Sequence, residues 1–309
     1  MVNTSFIKCK QLRVCIAQLA LLIALTVLPG CRPSEDMGPV ANTASVAKIR
    51  EALSSGTGES SSSEAATPAG TGWATLKGRF VFDGTPPTMP PYNVNKDQAT
   101  CTINGVAPLQ ETLLVDAESK GIANVAIYIR KVSRVHESAQ PAEGKSLFDQ
   151  KTCVFQTHVL PMTIGQTIEL KNSDPVGHNT NISGKNSFNQ TIPANESVDY
   201  TPQKEEAMPV HAVCSIHPWM SSYIVMRKNG YYAVTGPDGS FEIANVPAGE
   251  ELEFQVWHES GQGPGNALVL ETPEGKELKW SSKGRFKIKL GEDEVKEIQL
   301  TVPAAALGG

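Results

Sequence analysis

From Trp73 onward, apolar and polar residues alternate in short runs, and Gly, Pro, Asn and Asp cut one run from the next. The runs "ATLKGRFVFDG", "NVAIYIRKV", "HVLPMTI", "QTIELKNS", "PVHAVCSIH", "SYIVMRK", "LEFQVWHE", "RFKIKL" and "VKEIQLTV" are each too short for a stable helix and carry the period of two of a half-buried strand. "YYAVTGPDGSFEIANV" reads as a hairpin turning at Pro237-Asp238-Gly239. No long amphipathic helix follows residue 55. This pattern predicts an all-β chain, built as a sandwich or barrel. A boundary placed near Arg227–Tyr231 gives a first domain over 73–229 and a small second sandwich over 230–303, with a tail at 304–309.

The N-terminus has a different composition. Lys8, Lys10 and Arg13 form a positive start, and "VCIAQLALLIALTVL", Val14–Leu28, is an apolar run of 15 residues. That is shorter than the about 20 residues a membrane span needs and has the length and flanks of a secretory signal. It closes on "LPGC", which resembles a bacterial lipobox. The resemblance implies that residues 1–30 are removed, that Cys31 is acylated, and that the protein is a lipid-anchored lipoprotein on the periplasmic side of a membrane. Pro29 departs from the usual residue at its place, and an uncleaved membrane anchor is the alternative. Loss of Lys8, Lys10 and Arg13 takes the net charge from −5 to −8. Residues 31–72 include "SSGTGESSSSEAATPAGTG", which has no large apolar residue to offset its ordering entropy and reads as a flexible tether. No basic run lies beyond the N-terminus and the isoelectric point is near 5.7, which excludes a nucleic-acid binder.

Six cysteines are present: Cys9, Cys15, Cys31, Cys101, Cys153 and Cys214. Export removes the first two and the lipobox takes Cys31, leaving three in an oxidising compartment. Cys101 and Cys153 are the natural disulfide if a metal holds Cys214, although sequence alone does not set connectivity.

A metal is suggested by "AVCSIHPWM", in which Cys214, His217 and Met220 fall within seven residues. A thiolate and an imidazole suit zinc or copper, but a thioether has little use to zinc, so the set favours copper. The loop needs a second histidine. In "KNSDPVGHNTNI", His178 follows a strand in a turn, and Asn179 beside it could bond across to the Cys214 loop. "GHNTNI" followed 36 residues later by "CSIHPWM" resembles the cupredoxins, and the amicyanin type in particular, over roughly residues 150–229. The resemblance implies a Greek-key β-sandwich, a single type 1 copper held by His178, Cys214, His217 and Met220, and electron transfer to a redox partner through the imidazole edge of His217. Residues 73–150 depart from the family by their length and by a turn-rich insertion over Thr85–Pro108. "YYAVTGPDGSFEIANVPAGEELEFQVWHE" resembles the carboxypeptidase regulatory-like, transthyretin-type sandwich and implies no catalysis.

The neighbouring residues have plainer readings. Asp174 is a turn residue, His211 a strand residue facing away from Cys214, and Trp257 and His258 are structural; His158, five residues after Cys153, is structural or else part of a second metal site. Trp219 is either a core aromatic or an apolar lip where a partner docks. No nucleotide loop, nucleophile elbow or haem attachment sequence is present, and neither a trinuclear nor a binuclear copper motif, so no enzyme is expected. Three functions remain: electron transfer, copper storage or delivery, and a cell-envelope interaction module on a cupredoxin-like scaffold.

Overall fold

The computed structural model describes residues 71–308. The signal segment, Cys31 and most of the tether lie outside the described residues. The described chain is all β, with sixteen strands in four sheets and only single-turn helices. Among the described residues no helix is long and apolar enough to cross a membrane.

The strands are β1 (Trp73–Asp83), β2 (Ala126–Ile129), β3 (Lys145–Lys151), β4 (Val154–Phe155), β5 (Val159–Thr163), β6 (Thr167–Asn172), β7 (His178–Ile182) and β8 (Phe188–Ile192). There follow β9 (Ser197–Tyr200), β10 (Val210–Val213), β11 (Ser221–Arg227), β12 (Tyr232–Val234), β13 (Ser240–Pro247), β14 (Glu251–Trp257), β15 (Arg285–Lys289) and β16 (Val295–Pro303). Strands β3 to β11 form one sandwich, from the sheets β4-β3-β6-β9 and β5-β11-β10-β7-β8. Its core is filled by Phe148, Phe155, Met162, Ile168, Leu170, Ile182 and Ile224.

The first two strands do not belong to that sandwich. β1 runs parallel to β16, from Thr75 opposite Val295 to Asp83 opposite Pro303, and antiparallel to β13. β2 lies between β12 and β14. The C-terminal sandwich is therefore built from both ends of the chain, and the metal-loop sandwich is inserted between its second and third strands. This corrects the contiguous division at 73–229 and 230–303. Alternation specifies which face of a strand is buried but not which strand pairs with it. A pairing between the two ends of the described chain leaves no local trace.

β2 shows the consequence. It reads Ala-Ile-Tyr-Ile, and all four residues are buried. Ile127 and Ile129 face the core of the C-terminal sandwich with Phe254 and Leu252. Ala126 and Tyr128 face the other way, against Val159, Val225 and Trp257, where the two sandwiches meet. Arg227 ends β11 at this junction. Its guanidinium lies over the Tyr128 ring at 4.5 Å, donates to the carbonyls of Glu206 and Ile129, and pairs with Glu205 at 2.9 Å. His158 makes a second tie. It sits between Glu111 (3.3 Å), in the connection from β1 to β2, and Glu259, just after β14. The two carboxylates outweigh its burial and raise its pKa to about 9.

Candidate metal centre

β10 and β11 are antiparallel neighbours, with Val213 opposite Ser221, so residues 214–220 are the loop that joins them. The loop is closed by its own backbone: Met220 N–H donates to the His217 carbonyl at 3.0 Å, and Cys214 N–H to the Met220 carbonyl at 3.4 Å. On its other edge β10 pairs with β7, Val213 opposite Asn181, which directs Cys214 toward Asn179 and His178. Two strand ends of one sheet thus bring together residues that are 36 apart in sequence.

The donor atoms converge. His178 Nδ1 and His217 Nδ1 are 2.9 Å apart, and each is 3.9 Å from Cys214 Sγ. Cys214, His178, His217 and Met220 are all buried, His178 and His217 completely. The Cys214 sulfur accepts the backbone N–H of Asn179 at 3.2 Å and of His217 at 3.4 Å. Burial alone would raise the thiol pKa, but the nearby His178 and these N–H donors outweigh it and hold Cys214 below the ordinary thiol value. Burial also lowers His217, assisted by the charge of His178, while Asp97 opposes it. His178 goes the other way: its burial is overcome by Asp174 and Cys214, which raise it to about 8.

The geometry discriminates between metals. With an ion about 2.0 Å from each nitrogen and about 2.3 Å from sulfur, separations of 2.9 and 3.9 Å would give angles of about 93° between the nitrogens and about 130° between each nitrogen and sulfur. Three such angles nearly fill a plane. A tetrahedral centre with those bond lengths would draw sulfur to about 3.5 Å from each nitrogen. Trigonal His2Cys with a weak, distant thioether is the preference of a blue-copper site, and the buried Met220 ends the same loop. The residues present fit copper.

Both histidines are oriented by carboxylates on their outer nitrogens. Asp174 Oδ2 lies 2.7 Å from His178 Nε2. The same carboxylate accepts the backbone N–H groups of Thr152 at 2.7 Å and Cys153 at 2.8 Å, and both residues hold left-handed φ angles of 54° and 52°. Asp174 is therefore the tie between the first histidine and the Cys153 turn, rather than a plain turn residue. Its position four residues before His178, "DPVGH", is the sequence signal that identifies it. Asp97 Oδ2 lies 2.9 Å from His217 Nε2. It belongs to the insertion, 120 residues away from His217, and carries no comparable signal.

The insertion closes over the His217 edge through which the resemblance implied electron transfer. Tyr92, Val94 and Ala107 pack onto the core of the inserted sandwich, and Cys101 and Cys153 form a disulfide that pins the segment down. The imidazole edge of His217 is covered as a result. Trp219 is half-buried, edge-on to His217 at 5.2 Å, with its indole N–H donating to the Cys153 carbonyl at 3.0 Å. Asn179 does span the two loops: its side-chain oxygen accepts Ser215 N–H at 3.3 Å and its amide donates to Asn189 at 2.8 Å. His211 is exposed and bonded to Ser221, away from the donor cluster.

No family model and no curated protein sequence matches this chain. Among solved structures, a mutant of amicyanin in its reduced Cu(I) form at pH 4 aligns at 18% identity and TM-score 0.25, over 33% of this chain and 98% of that one. Amicyanin from Paracoccus versutus (Thiobacillus versutus) aligns at 15% and TM-score 0.25, over 33% of this chain and 97% of its own. A Cu-containing nitrite reductase from Thermus scotoductus SA-01 aligns at 22% and TM-score 0.26, over 31% of this chain and 27% of its own.

Proposed function

We propose that this chain is a type 1 copper protein of the cupredoxin kind, which carries single electrons at the cell envelope and turns over no substrate. The observation that carries the reading is the convergence of two Nδ1 atoms 2.9 Å apart on one Sγ 3.9 Å from each, in a loop that ends in a buried methionine. His178, Cys214, His217 and Met220 would hold the copper, which supplies one-electron chemistry when bound. The protein's part is to keep that pocket fixed. Asp174 and Asp97 hold the two rings with Nδ1 facing inward, two backbone N–H groups support the thiolate, and Asn179 locks the loops together. A pocket that cannot relax between oxidation states keeps reorganisation small, which lowers the barrier to transfer.

Export, acylation at Cys31 and a redox partner at the envelope complete the proposal, supported by the signal-like N-terminus and the lipobox. A visible and EPR spectrum of the Cu(II)-loaded protein tests it. Type 1 ligation gives an intense thiolate-to-copper band, and a colourless Cu(II) protein refutes it. One observation favours a second reading, copper storage or delivery: the covered edge of His217 leaves a partner no direct approach to the ring. Slow electron exchange combined with ready transfer of Cu(I) to an acceptor would select that reading.

A further inference from the structure

The disulfide lies against the proposed copper pocket. The donor atoms of Cys101, Cys153 and His217 fall within 4.8 Å of one another, as do those of His178, Cys214 and His217. His217 is common to both groups. All five residues are buried.

Cys153 is held by contacts besides its partner sulfur. Its N–H is held by Asp174 and its carbonyl by the Trp219 indole. The preceding residue is fixed by the same carboxylate, so two consecutive left-handed residues are determined by the surrounding structure. Cys101 closes the single-turn helix Gln98–Cys101, whose first backbone bonds run to Asp97, the residue that holds His217. Opening the S–S bond would leave both thiols near His217.

We propose that the reduced form of this pair, with His217, is a second copper site, specific for Cu(I). A dithiol reductant opens the bond by thiol–disulfide exchange: Cys101 and Cys153 become thiols and the reductant is left as its own disulfide. Each thiol that ligates copper releases its proton. Two soft thiolates and one imidazole select Cu(I), which is held at low coordination number, over Cu(II). Because His217 is common to both sets, the cysteine pair and the Cys214 pocket compete for that ring. The pair gives the storage or delivery reading a switch: oxidised, it pins the cover over a one-electron site; reduced, it draws Cu(I) outward. The inference rests on copper being the metal, and not on the blue spectrum.

The test is Cu(I) competition against bathocuproine disulfonate, on the full chain under anaerobic conditions, after treatment with dithiothreitol and its removal. Cys214→Ser removes the thiolate of the first site. Reduced Cys214→Ser should bind one Cu(I) at least about 100-fold more tightly than the reduced triple variant Cys101→Ser/Cys153→Ser/Cys214→Ser, since losing even a supporting partner of a metal ligand costs about 10- to 100-fold. Unreduced Cys214→Ser should match the triple variant. Equal affinity of the reduced single and triple variants overturns the proposal, as does equal affinity of Cys214→Ser before and after reduction. Loss of the native β circular dichroism on reduction overturns it too, because no preformed site then remains. Failure of the blue-copper reading appears separately, in the Cu(II) spectrum of the unreduced wild type.

Discussion

Replacing His158 with Gln removes an imidazolium placed between two carboxylates of different parts of the chain. The side chain of His158 is 5% exposed, that of Glu259 9% and that of Glu111 44%. A pKa raised from 6.5 to about 9 corresponds to about 3 kcal/mol of folding free energy at about 1.4 kcal/mol per unit, an upper bound because Glu111 is well solvated. The folded value lies above the unfolded one, so this stabilisation is complete below pH 6.5 and is lost as pH rises through about 9. Urea unfolding of the metal-free protein at about pH 6 and about pH 9.5 measures it. His178, raised to about 8, contributes with the same sign, and Cys214, lowered, with the opposite sign, so the useful quantity is the wild-type change minus the variant change. The wild type should lose about 2–3 kcal/mol more than His158→Gln over this range. Equal pH dependence in the two proteins would refute the claim that a charged His158 joins the inserted sandwich to the C-terminal one.

Three further outcomes follow from the geometry. Asp174→Asn leaves one oxygen where three N–H groups are accepted, so copper affinity should fall about 10- to 100-fold in a chelator competition and stability by about 1–3 kcal/mol in denaturant unfolding. Asp97→Ala removes the negative charge on the outer nitrogen of His217 and uncovers the ring; the potential measured by voltammetry should rise, because the oxidised ion loses more stabilisation than the reduced one, and azide should reach the metal faster. Arg227→Met deletes the donors to Glu206 and Ile129 and leaves Glu205 without its cation at the junction; thermal unfolding should show a loss of about 2–4 kcal/mol, reduced by the partial exposure of Glu205.

The parts of the centre that could be read from the sequence are those made locally. Cys214, His217 and Met220 share one seven-residue loop, so their spacing alone suggests an ion. His178 and Asn179 are legible because a strand end followed by a turn can lie beside the Cys214 loop; in the structure Ser215 N–H donates to Asn179. Sequence leaves the Cys101–Cys153 pairing conditional on a metal that holds Cys214, and the structure places those two sulfurs in one bond. Asp174 is only partly legible, since "DPVGH" also satisfies a turn. Asp97 could not be found: its only local peculiarity is a left-handed backbone, φ 48°, which the sequence does not display. The strand assignment of β1 was readable and its partners were not, because the pattern that buries Leu76 and Phe80 suits any sheet with a free edge. The covered edge of His217 follows from the same limit. A segment so far upstream of His178 gives no sign of which surface it closes.

Cys214, His178 and His217 are proposed to hold copper in a trigonal thiolate site. Loading the full chain with Cu(II) and recording its visible and EPR spectra, beside Cys214→Ser under the same conditions, tests that claim directly. An intense blue band with a narrow copper hyperfine splitting in the wild type, both absent from Cys214→Ser, is the predicted result. A colourless wild type with the wide splitting of ordinary tetragonal copper, unchanged by the substitution, would contradict it.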